Sequence, residues 1–238
     1  MRIAWGITGA AHLLVESFKI MERIAREHRV SAFLSEAGEE VVRMFGLERK
    51  LEEICPGGHF REIFRQSEQG ASSPIVGRFA MGKYDLLIVT PATANTVAKV
   101  VHGIADTLVT NAVAQAGKGE TPTWIVPCDP REGYLETVTP YIVRRSECEG
   151  CGRCVEACPQ TAVKLVDGKA WIDLTRCVGC GACAGACPVG AISGGETYRM
   201  RVRKVDAKNV EKLRDMEDIE VFEHPKEILR ALEDLEPG

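Results

Sequence analysis

Eight of the ten cysteines in this chain fall into two copies of one short pattern. The first copy, CEGCGRCVEACP, starts at Cys148, and the second, CVGCGACAGACP, starts 29 residues later at Cys177. Both read C-x2-C-x2-C-x3-C-P, and a loop of this pitch brings three thiolates to one iron–sulfur cube while the fourth reaches a second cube. The spacing therefore predicts two [4Fe–4S] clusters whose ligands cross between the motifs.

Crossed ligation gives each cluster three cysteines from one motif and the last cysteine of the other. The predicted ligands of the first cluster are Cys148, Cys151, Cys154 and Cys187, and those of the second are Cys177, Cys180, Cys183 and Cys158. Two other uses of cysteine fit the pattern poorly. Structural zinc sites prefer pairs of cysteines separated by longer loops, and disulfide frameworks belong to small secreted domains.

The 238-residue chain has the composition of an ordinary globular protein, with 45% hydrophobic and 27% charged residues. No apolar run approaches the ~20 residues that a membrane-spanning helix needs, and MRIAWGITGA has too little apolar length for a signal peptide. We therefore expect a cytoplasmic protein without a membrane partner, in a compartment where thiols stay reduced. The net charge of −4 implies no general affinity for nucleic acid.

Periodicity in the first 130 residues predicts alternating strands and helices. A buried strand and a glycine turn are indicated by RIAWGITGAAH, and further strands by RVSAFLS, YDLLIVT and TPTWIVP. Apolar residues recur at helical spacing in three stripes, which are Leu14, Phe18, Met21 and Ala25; Val97, Val100, Val101 and Ile104; and Leu108, Ala112, Val113 and Ala116. The alternation predicts the α/β class, with a Rossmann-like or flavodoxin-like parallel sheet joined to a ferredoxin-like module for the two clusters.

The remaining segments indicate where the domains begin and end. Residues 55–78 lack a clear period and contain glycine, serine and proline, which predicts a loop. In the cysteine region, VKLVDGKAWID predicts a hairpin that turns at Asp167-Gly168. Beyond it, YRMRVRKVD indicates a strand and HPKEILRALEDLE a helix. We predict that the cluster module, residues 145–195, interrupts an α/β domain formed by residues 1–144 and 196–238.

Clusters pass one electron at a time, so a protein with two of them usually needs a second cofactor that handles electron pairs. The turn GITGAA is not the G-x-G-x-x-G of dinucleotide folds, but residues 9–11 are small and precede a helix, where a phosphate can approach free N–H groups. Thr93, Asn95 and Thr96 supply hydroxyls and an amide beside another helix start. Helix capping explains these three residues equally well.

The segments PATANTVAK and GIADTLVTN, together with GITGA near the N-terminus, closely resemble the superfamily of homo-oligomeric flavin-containing cysteine decarboxylases, which includes flavin prenyltransferases. The resemblance covers roughly residues 1–130. It implies an FMN-binding domain in an assembly of three subunits or more, with flavin at the subunit interfaces. Position by position, it implies that FMN contacts Gly9, Ala10, Ala11, Ser35, Thr93, Ala94, Asn95 and Thr96.

One departure from the superfamily bears on the reaction. Its decarboxylases carry a P-x-M-N motif after the fourth strand, where this chain has VPCDPRE from Val126 to Glu132. This difference argues against cysteine decarboxylation. An iron–sulfur module joined to such a flavin domain further resembles an archaeal family of reductases that use FMN and two clusters on dihydromethanopterin.

The combined features predict an oxidoreductase. A low-potential one-electron donor such as a ferredoxin passes electrons through the clusters to FMN, which transfers hydride to a substrate held against its ring. The resemblance implies that the substrate is a dihydropterin, dihydromethanopterin, which is reduced to tetrahydromethanopterin. Two alternatives stay open: an electron carrier between protein partners without a small-molecule substrate, and, with less support, a flavin-dependent decarboxylase or prenyltransferase.

The sequence identifies no catalytic acid. Cys55 and Cys128 are each interpreted as packed thiols rather than reactive ones. His59, in a glycine-rich loop, is expected to be exposed to solvent rather than to face a substrate. His12 lies beside the predicted phosphate turn, and the sequence allows either exposure to solvent or a contact with a substrate.

Overall fold

The computed structural model of the protein describes residues 1–72 and 74–235. They divide into two compact units. The first is formed by residues 1–41, 51–133 and those from 201 on, and the second by residues 42–50 and 134–200. The second unit therefore contains the whole cysteine region, together with a short segment from the first third of the chain.

Strands and helices alternate along the first unit and become short in the second. The strands are β1 (Arg2–Ile7), β2 (Arg29–Leu34), β3 (Ile63–Arg65), β4 (Leu86–Ala92), β5 (Thr123–Pro127), β6 (Gly133–Val138), β7 (Ile142–Val143), β8 (Val163–Val166), β9 (Lys169–Ile172), β10 (Ile192–Ser193), β11 (Thr197–Val202) and β12 (Ile219–Val221). The helices are α1 (Leu14–Ile24), α2 (Glu36–Met44), α3 (Glu48–Ile54), α4 (Gln66–Gln69), α5 (Gly77–Ala80), α6 (Ala94–Val101), α7 (Leu108–Lys118), α8 (Arg153–Glu156), α9 (Ala182–Gly185), α10 (Lys204–Arg214) and α11 (Glu227–Leu235), with a 3-10 turn at Pro74–Val76.

The first unit is built on a parallel sheet with the strand order β12-β5-β4-β1-β2-β3. The chain builds the sheet outward from β1 to β3, then returns to the other side of β1 for β4, β5 and β12. This is the Rossmann order, with its reversal between β1 and β4. The predicted α/β class with a parallel sheet is confirmed. In such sheets ligands bind outside the carboxyl ends of the strands, where the order reverses.

Most of the predicted helical stripes lie in the core. Leu14, Phe18 and Met21 of α1 are fully buried, as are Leu108, Ala112 and Ala116 of α7. The expectation for Ile104 was wrong, since α6 ends at Val101 and Ile104 is 47% exposed. The chain leaves the helix at Gly103, which has a φ of 69° that glycine adopts at little cost.

The prediction of a loop over residues 55–78 was wrong in part. The segment contains β3, which pairs with β2 at the edge of the sheet, followed by α4, a 3-10 turn and the start of α5. These elements are only three or four residues long, too short to show a period in the sequence. Ser73 of this segment lies outside the described residues.

The strands of the second unit form short two-stranded ribbons. The predicted hairpin is confirmed, because β8 and β9 pair on either side of Asp167 and Gly168, whose φ angles are 51° and 72°. β7 pairs with β10, and β6 with β11. The predicted C-terminal helix is α11, and its last predicted residue, Glu236, lies outside the described residues. In the described part of the chain, no helix has the length and apolarity that crossing a bilayer demands.

Candidate functional site

The eight residues predicted to contact FMN all follow strands that end at one edge of the sheet. Residues 9–11 follow β1, and Ser35 follows β2. Thr93 follows β4, and residues 94–96 form the start of α6. β1 and β4 are the neighbours between which the strand order reverses. The fold therefore brings these residues together at the position where Rossmann-type sheets bind their ligands.

A buried hydroxyl ties the two central loops of this edge together. Thr8 Oγ1 donates to the carbonyl oxygen of Pro91 at 2.6 Å and accepts from the backbone N–H of Thr93 at 3.0 Å. Thr8 is 1% exposed. It was not among the candidates from the sequence, although it is the first polar residue after the apolar strand β1. Its position at the carboxyl end of that strand is the signal that would have found it.

The segment after β4 contains the cap of helix α6 and one exposed side chain. Thr93 is the N-cap of α6, since its hydroxyl accepts from the Thr96 N–H at 3.1 Å, and the two hydroxyls lie 3.0 Å apart. The capping interpretation is therefore confirmed for this pair. Asn95, between them, is exposed, so its side chain is free to meet a ligand.

Close backbone packing explains two glycines at this edge. A Cβ on Gly9 would lie 2.5 Å from the Cβ of Ala37, and a Cβ on Gly38 would lie 2.3 Å from the carbonyl oxygen of Ile7. Ser35, between these loops, accepts from the Gly38 N–H at 3.1 Å. The loop after β1 is thus pressed against the start of α2, which fixes where its N–H groups lie.

The edge has the groups that the phosphate of a mononucleotide requires. Within the described residues, the backbone N–H groups of Gly9 and Ala11 donate no hydrogen bond, and both residues are exposed. Free N–H groups between a strand end and a helix start bind phosphate without a dedicated cation. The residues present therefore fit FMN at its phosphate end.

The two cysteines outside the motifs are packed thiols, as expected. Cys55 donates to the carbonyl oxygen of Val30 at 3.2 Å, and burial raises its pKa to about 12. Cys128, which follows β5, approaches the carbonyl oxygen of His12 at 3.7 Å, and burial raises its pKa as well. Neither is a thiolate near neutral pH. His59 is exposed, with its ring 4.4 Å from that of Phe60.

Titratable side chains gather where the loops after β1 and β5 meet. Asp129, next to Cys128, is half-buried, and its pKa is raised mainly by burial and then by the charge of Asp206. The pKa of His12 is lowered, and burial is the main cause. Perturbed pKa values of this kind are common at functional sites. The sequence alone leaves the role of His12 open and does not indicate Asp129, because the burial of a loop residue cannot be judged before the fold is known.

In the second unit, four cysteines line one small cavity. They are Cys148, Cys151, Cys154 and Cys187, and the lining also includes the apolar side chains of Leu165, Val189 and Ile192. The set contains three cysteines of the first motif and the last cysteine of the second. The thiols of the other three raise the pKa of Cys154, after burial as the main cause, so all four are electrostatic neighbours.

Two cysteines of the second motif and the last cysteine of the first form another group of electrostatic neighbours. Burial, followed by the charges of nearby thiols, raises the pKa of Cys183 to about 11, and these thiols include Cys177 and Cys158. Cys158 thus lies with the second motif. Its sulfur accepts the N–H of Ala162 at 3.3 Å, a contact of the kind that tunes cluster sulfurs. Among the described residues, no three His, Cys, Asp or Glu side chains are arranged to hold a single metal ion.

Two contacts fix the segment 42–50 to the cysteine region within the second unit. The indole N–H of Trp171 donates to the carbonyl oxygen of Gly46 at 3.0 Å. Lys50 and Asp173 form a buried ion pair with an N–O distance of 3.1 Å. The carbonyl oxygen of Asp173 also accepts the N–H of Cys177 at 3.0 Å, so this pair supports the start of the second motif.

Comparison with known proteins covers both units. Residues 1–139 match the family model described as Flavoprotein, and residues 147–192 match that of a 4Fe-4S dicluster domain. A dihydromethanopterin reductase (acceptor) of Methanocaldococcus jannaschii is 50% identical over 232 residues, which are 96% of this chain and 94% of the relative. The protein of the same name from Methanosarcina mazei is 49% identical over 234 residues, covering 96% and 97%.

A solved structure also matches along nearly the whole chain. It is the crystal structure of Burkholderia xenovorans DmrB in complex with FMN, described as a cubic protein cage for redox transfer. The two chains are 28% identical, with a TM-score of 0.62, and the match covers 98% of this chain and 93% of that one.

Proposed function

The chain belongs to the Flavoprotein family and is an iron–sulfur flavoprotein oxidoreductase, and we propose that it reduces a dihydropterin with electrons from a one-electron donor. Its cofactors are FMN and [4Fe–4S] clusters. By analogy with the two archaeal relatives, the substrate is dihydromethanopterin and the product is tetrahydromethanopterin.

One observation carries the proposal. The relatives named as reductases match 96% of this chain, so the likeness includes the flavoprotein sheet and the cysteine module together. Bound clusters supply single electrons, and bound FMN converts them into hydride. An enzyme with this pairing joins a one-electron donor to a two-electron substrate.

For FMN, we propose that the loop after β1 binds the phosphate. The exposed N–H groups of Gly9 and Ala11 face the ligand, and Thr8 holds this loop to the one that starts at Thr93. Asn95 supplies an amide at the start of α6. The full set of proposed contacts is Gly9, Ala10, Ala11, Ser35, Thr93, Ala94, Asn95 and Thr96.

For the clusters, we propose crossed ligation. The cavity lined by Cys148, Cys151, Cys154 and Cys187 supports the first set. The proximity of Cys158 to Cys177 and Cys183 supports the second, which Cys180 completes.

We further propose a ferredoxin-type donor, a cytoplasmic location and a homo-oligomer of three or more copies. Low-potential clusters exchange single electrons with such donors, and their assembly needs reduced thiols. The oligomer is supported by the cage described for the Burkholderia relative. Light scattering of the holoprotein measures it directly, and a monomer would contradict it.

The substrate is tested with anaerobic protein that has been reconstituted with iron, sulfide and FMN and then chemically reduced. Fast reoxidation of the flavin that requires dihydromethanopterin, with formation of the tetrahydro product, supports the reductase. Failure of the pterin to reoxidise the flavin, combined with fast electron transfer to a protein acceptor, would instead support an electron carrier.

The ligand scheme is tested with Cys158→Ala. We expect this change to damage the cluster held by Cys177, Cys180 and Cys183, although Cys158 is closer in sequence to the other cluster. Electron paramagnetic resonance of the reduced protein separates the two signals, and Cys187→Ala is the matched control with the converse expectation. Loss of the other cluster in each variant would show that each motif binds its own cluster.

A further inference from the structure

The proposed reaction requires a proton as well as two electrons. Reduction of a C=N bond in the dihydropterin forms a C–H bond from hydride, and the π electron pair of that bond moves onto nitrogen. The nitrogen must then take a proton, which enzymes supply from a side chain placed beside the reacting atom. The inference below rests on the proposed function and concerns the residue that supplies this proton.

Asp129 is held at the edge of the sheet where the proposed FMN loops meet. The preceding residue, Cys128, donates its backbone N–H to the carbonyl oxygen of Ala92 at 2.9 Å, at the end of β4. Its thiol approaches the carbonyl oxygen of His12, in the loop after β1. The residue next to Asp129 is thus held to the end of β4 and to the loop after β1, the two strands between which the sheet order reverses.

The groups that act electrostatically on Asp129 come from two other segments. Arg203 and Asp206, at the start of α10, form a two-pronged ion pair with two contacts of 2.7 Å. His12 faces it from the loop after β1. In the described part of the chain, the carboxyl group of Asp129 itself has no hydrogen bond or ion pair. The guanidinium of Arg203 is bound to Asp206.

These surroundings favour the protonated form of Asp129. Burial raises its pKa most, the charge of Asp206 raises it further, and His12 and Arg203 oppose the shift. His12 has a lowered pKa, caused first by burial; Glu16 and Asp129 oppose this and His224 adds to it. A carboxyl group whose pKa moves toward the working pH is suited to donate a proton.

We propose that Asp129 is the catalytic acid that protonates the pterin nitrogen as the neighbouring carbon receives hydride. The O–H bond of the carboxyl group breaks and an N–H bond forms, leaving a carboxylate that regains a proton from solvent through its half-buried face. The two electrons come from the one-electron donor through the cofactors, so hydride and proton together convert the dihydro to the tetrahydro form.

The first test is Asp129→Asn in the reconstituted holoprotein. We expect kcat with dihydromethanopterin to fall by about 10²–10⁴-fold, with unchanged FMN content and unchanged rate of flavin reduction by dithionite. Glu132→Gln is the matched control, since it removes an exposed carboxylate from the same loop, and it is expected to keep wild-type kcat.

A second variant tests the same residue without removing it. Asp206→Asn takes away the negative charge that disfavours the carboxylate of Asp129, and it frees Arg203 to favour that carboxylate. The alkaline limb of the kcat profile, which reports loss of the acid, should therefore move to lower pH. This shift decides the question even if Asp129→Asn fails to fold.

A spectroscopic readout separates this inference from the proposed function. Infrared difference spectra of the holoprotein between acid and alkaline pH should show a protonated carboxyl band that is absent from Asp129→Asn and that titrates at lower pH in Asp206→Asn. An active wild type whose Asp129→Asn variant keeps kcat and this band overturns the inference and leaves the reductase standing. A wild type that never reduces the pterin overturns both, whatever the infrared spectra show.

Discussion

Replacing Thr8 with valine tests whether one buried hydroxyl holds the two central loops of the flavin site together. Valine keeps the shape of threonine but has no hydrogen-bonding group. The change removes the bond to Pro91, at 2.6 Å, and the bond from the N–H of Thr93, at 3.0 Å. Because Thr8 is only 1% exposed, water has no path to the lost oxygen's position.

The burial of the two partners sets the size of the effect. The Pro91 carbonyl loses its partner in a buried position, which costs about 1–3 kcal/mol. Thr93 is half-buried, so water can replace part of the hydrogen bond that its N–H loses. This loss costs about 0.5–1.5 kcal/mol. We expect the free energy of unfolding to fall by about 1.5–4.5 kcal/mol in total. FMN affinity should fall at least about tenfold, which is equivalent to 1.4 kcal/mol, since Thr93 is no longer held.

Urea unfolding measures the first quantity, because the free energy of unfolding falls linearly with urea concentration. Fluorescence titration of the flavin-free protein with FMN measures the second. Thr8→Ser is the control, since it keeps the hydroxyl and loses one methyl group, at a cost of about 1 kcal/mol. Equal loss of FMN affinity in Thr8→Val and Thr8→Ser, or wild-type affinity in both, would refute the role of the hydroxyl.

Two further predictions concern packing in each unit. Gly38→Ala should lower the free energy of unfolding by about 1–3 kcal/mol, because its Cβ would lie 2.3 Å from a carbonyl oxygen of β1. The control Gly117→Ala, in open space on α7, should raise the free energy of unfolding by about 0.5–1 kcal/mol. Urea unfolding measures both variants. In the same assay, Lys50→Met should lower the free energy of unfolding by about 3–5 kcal/mol, because it leaves the charge of Asp173 buried without its ion-pair partner. The control Arg43→Gln removes a largely exposed ion pair and should lower the free energy of unfolding by less than about 1 kcal/mol.

The features that the sequence predicted well are those set by local spacing. The apolar stripe of α7 is buried as its period predicted, and Asp167-Gly168 forms the expected turn, since both patterns depend only on near neighbours in the chain. The strand β3 was missed because three residues cannot show an alternation. Ile104 was misplaced because the pattern of apolar residues continues past the glycine that ends α6.

The features that were missed at the site depend on contacts between distant segments. Thr8 meets Pro91 across 83 residues, and Asp129 is influenced by Asp206 across a similar distance. No local pattern reports such a pairing, and burial of a loop carboxylate cannot be judged before the fold is known. The sequence could nevertheless predict which edge of the sheet holds the site, because the loops that follow parallel strands share one side of the sheet.

The motif GITGA shows why a small-residue turn identifies a ligand site only together with its surroundings. Gly9 lacks a Cβ because Ala37 occupies the space, a requirement of chain packing that would hold without any ligand. Two other facts make the turn suitable for phosphate. Gly9 and Ala11 are exposed residues whose N–H groups donate no hydrogen bond within the described residues, and Thr8 holds a second loop beside them. A Gly9→Ala variant would therefore disturb folding and FMN binding together, whereas Thr8→Ser should disturb neither strongly. Tests of the flavin site should for this reason begin at the hydroxyl rather than at the glycine.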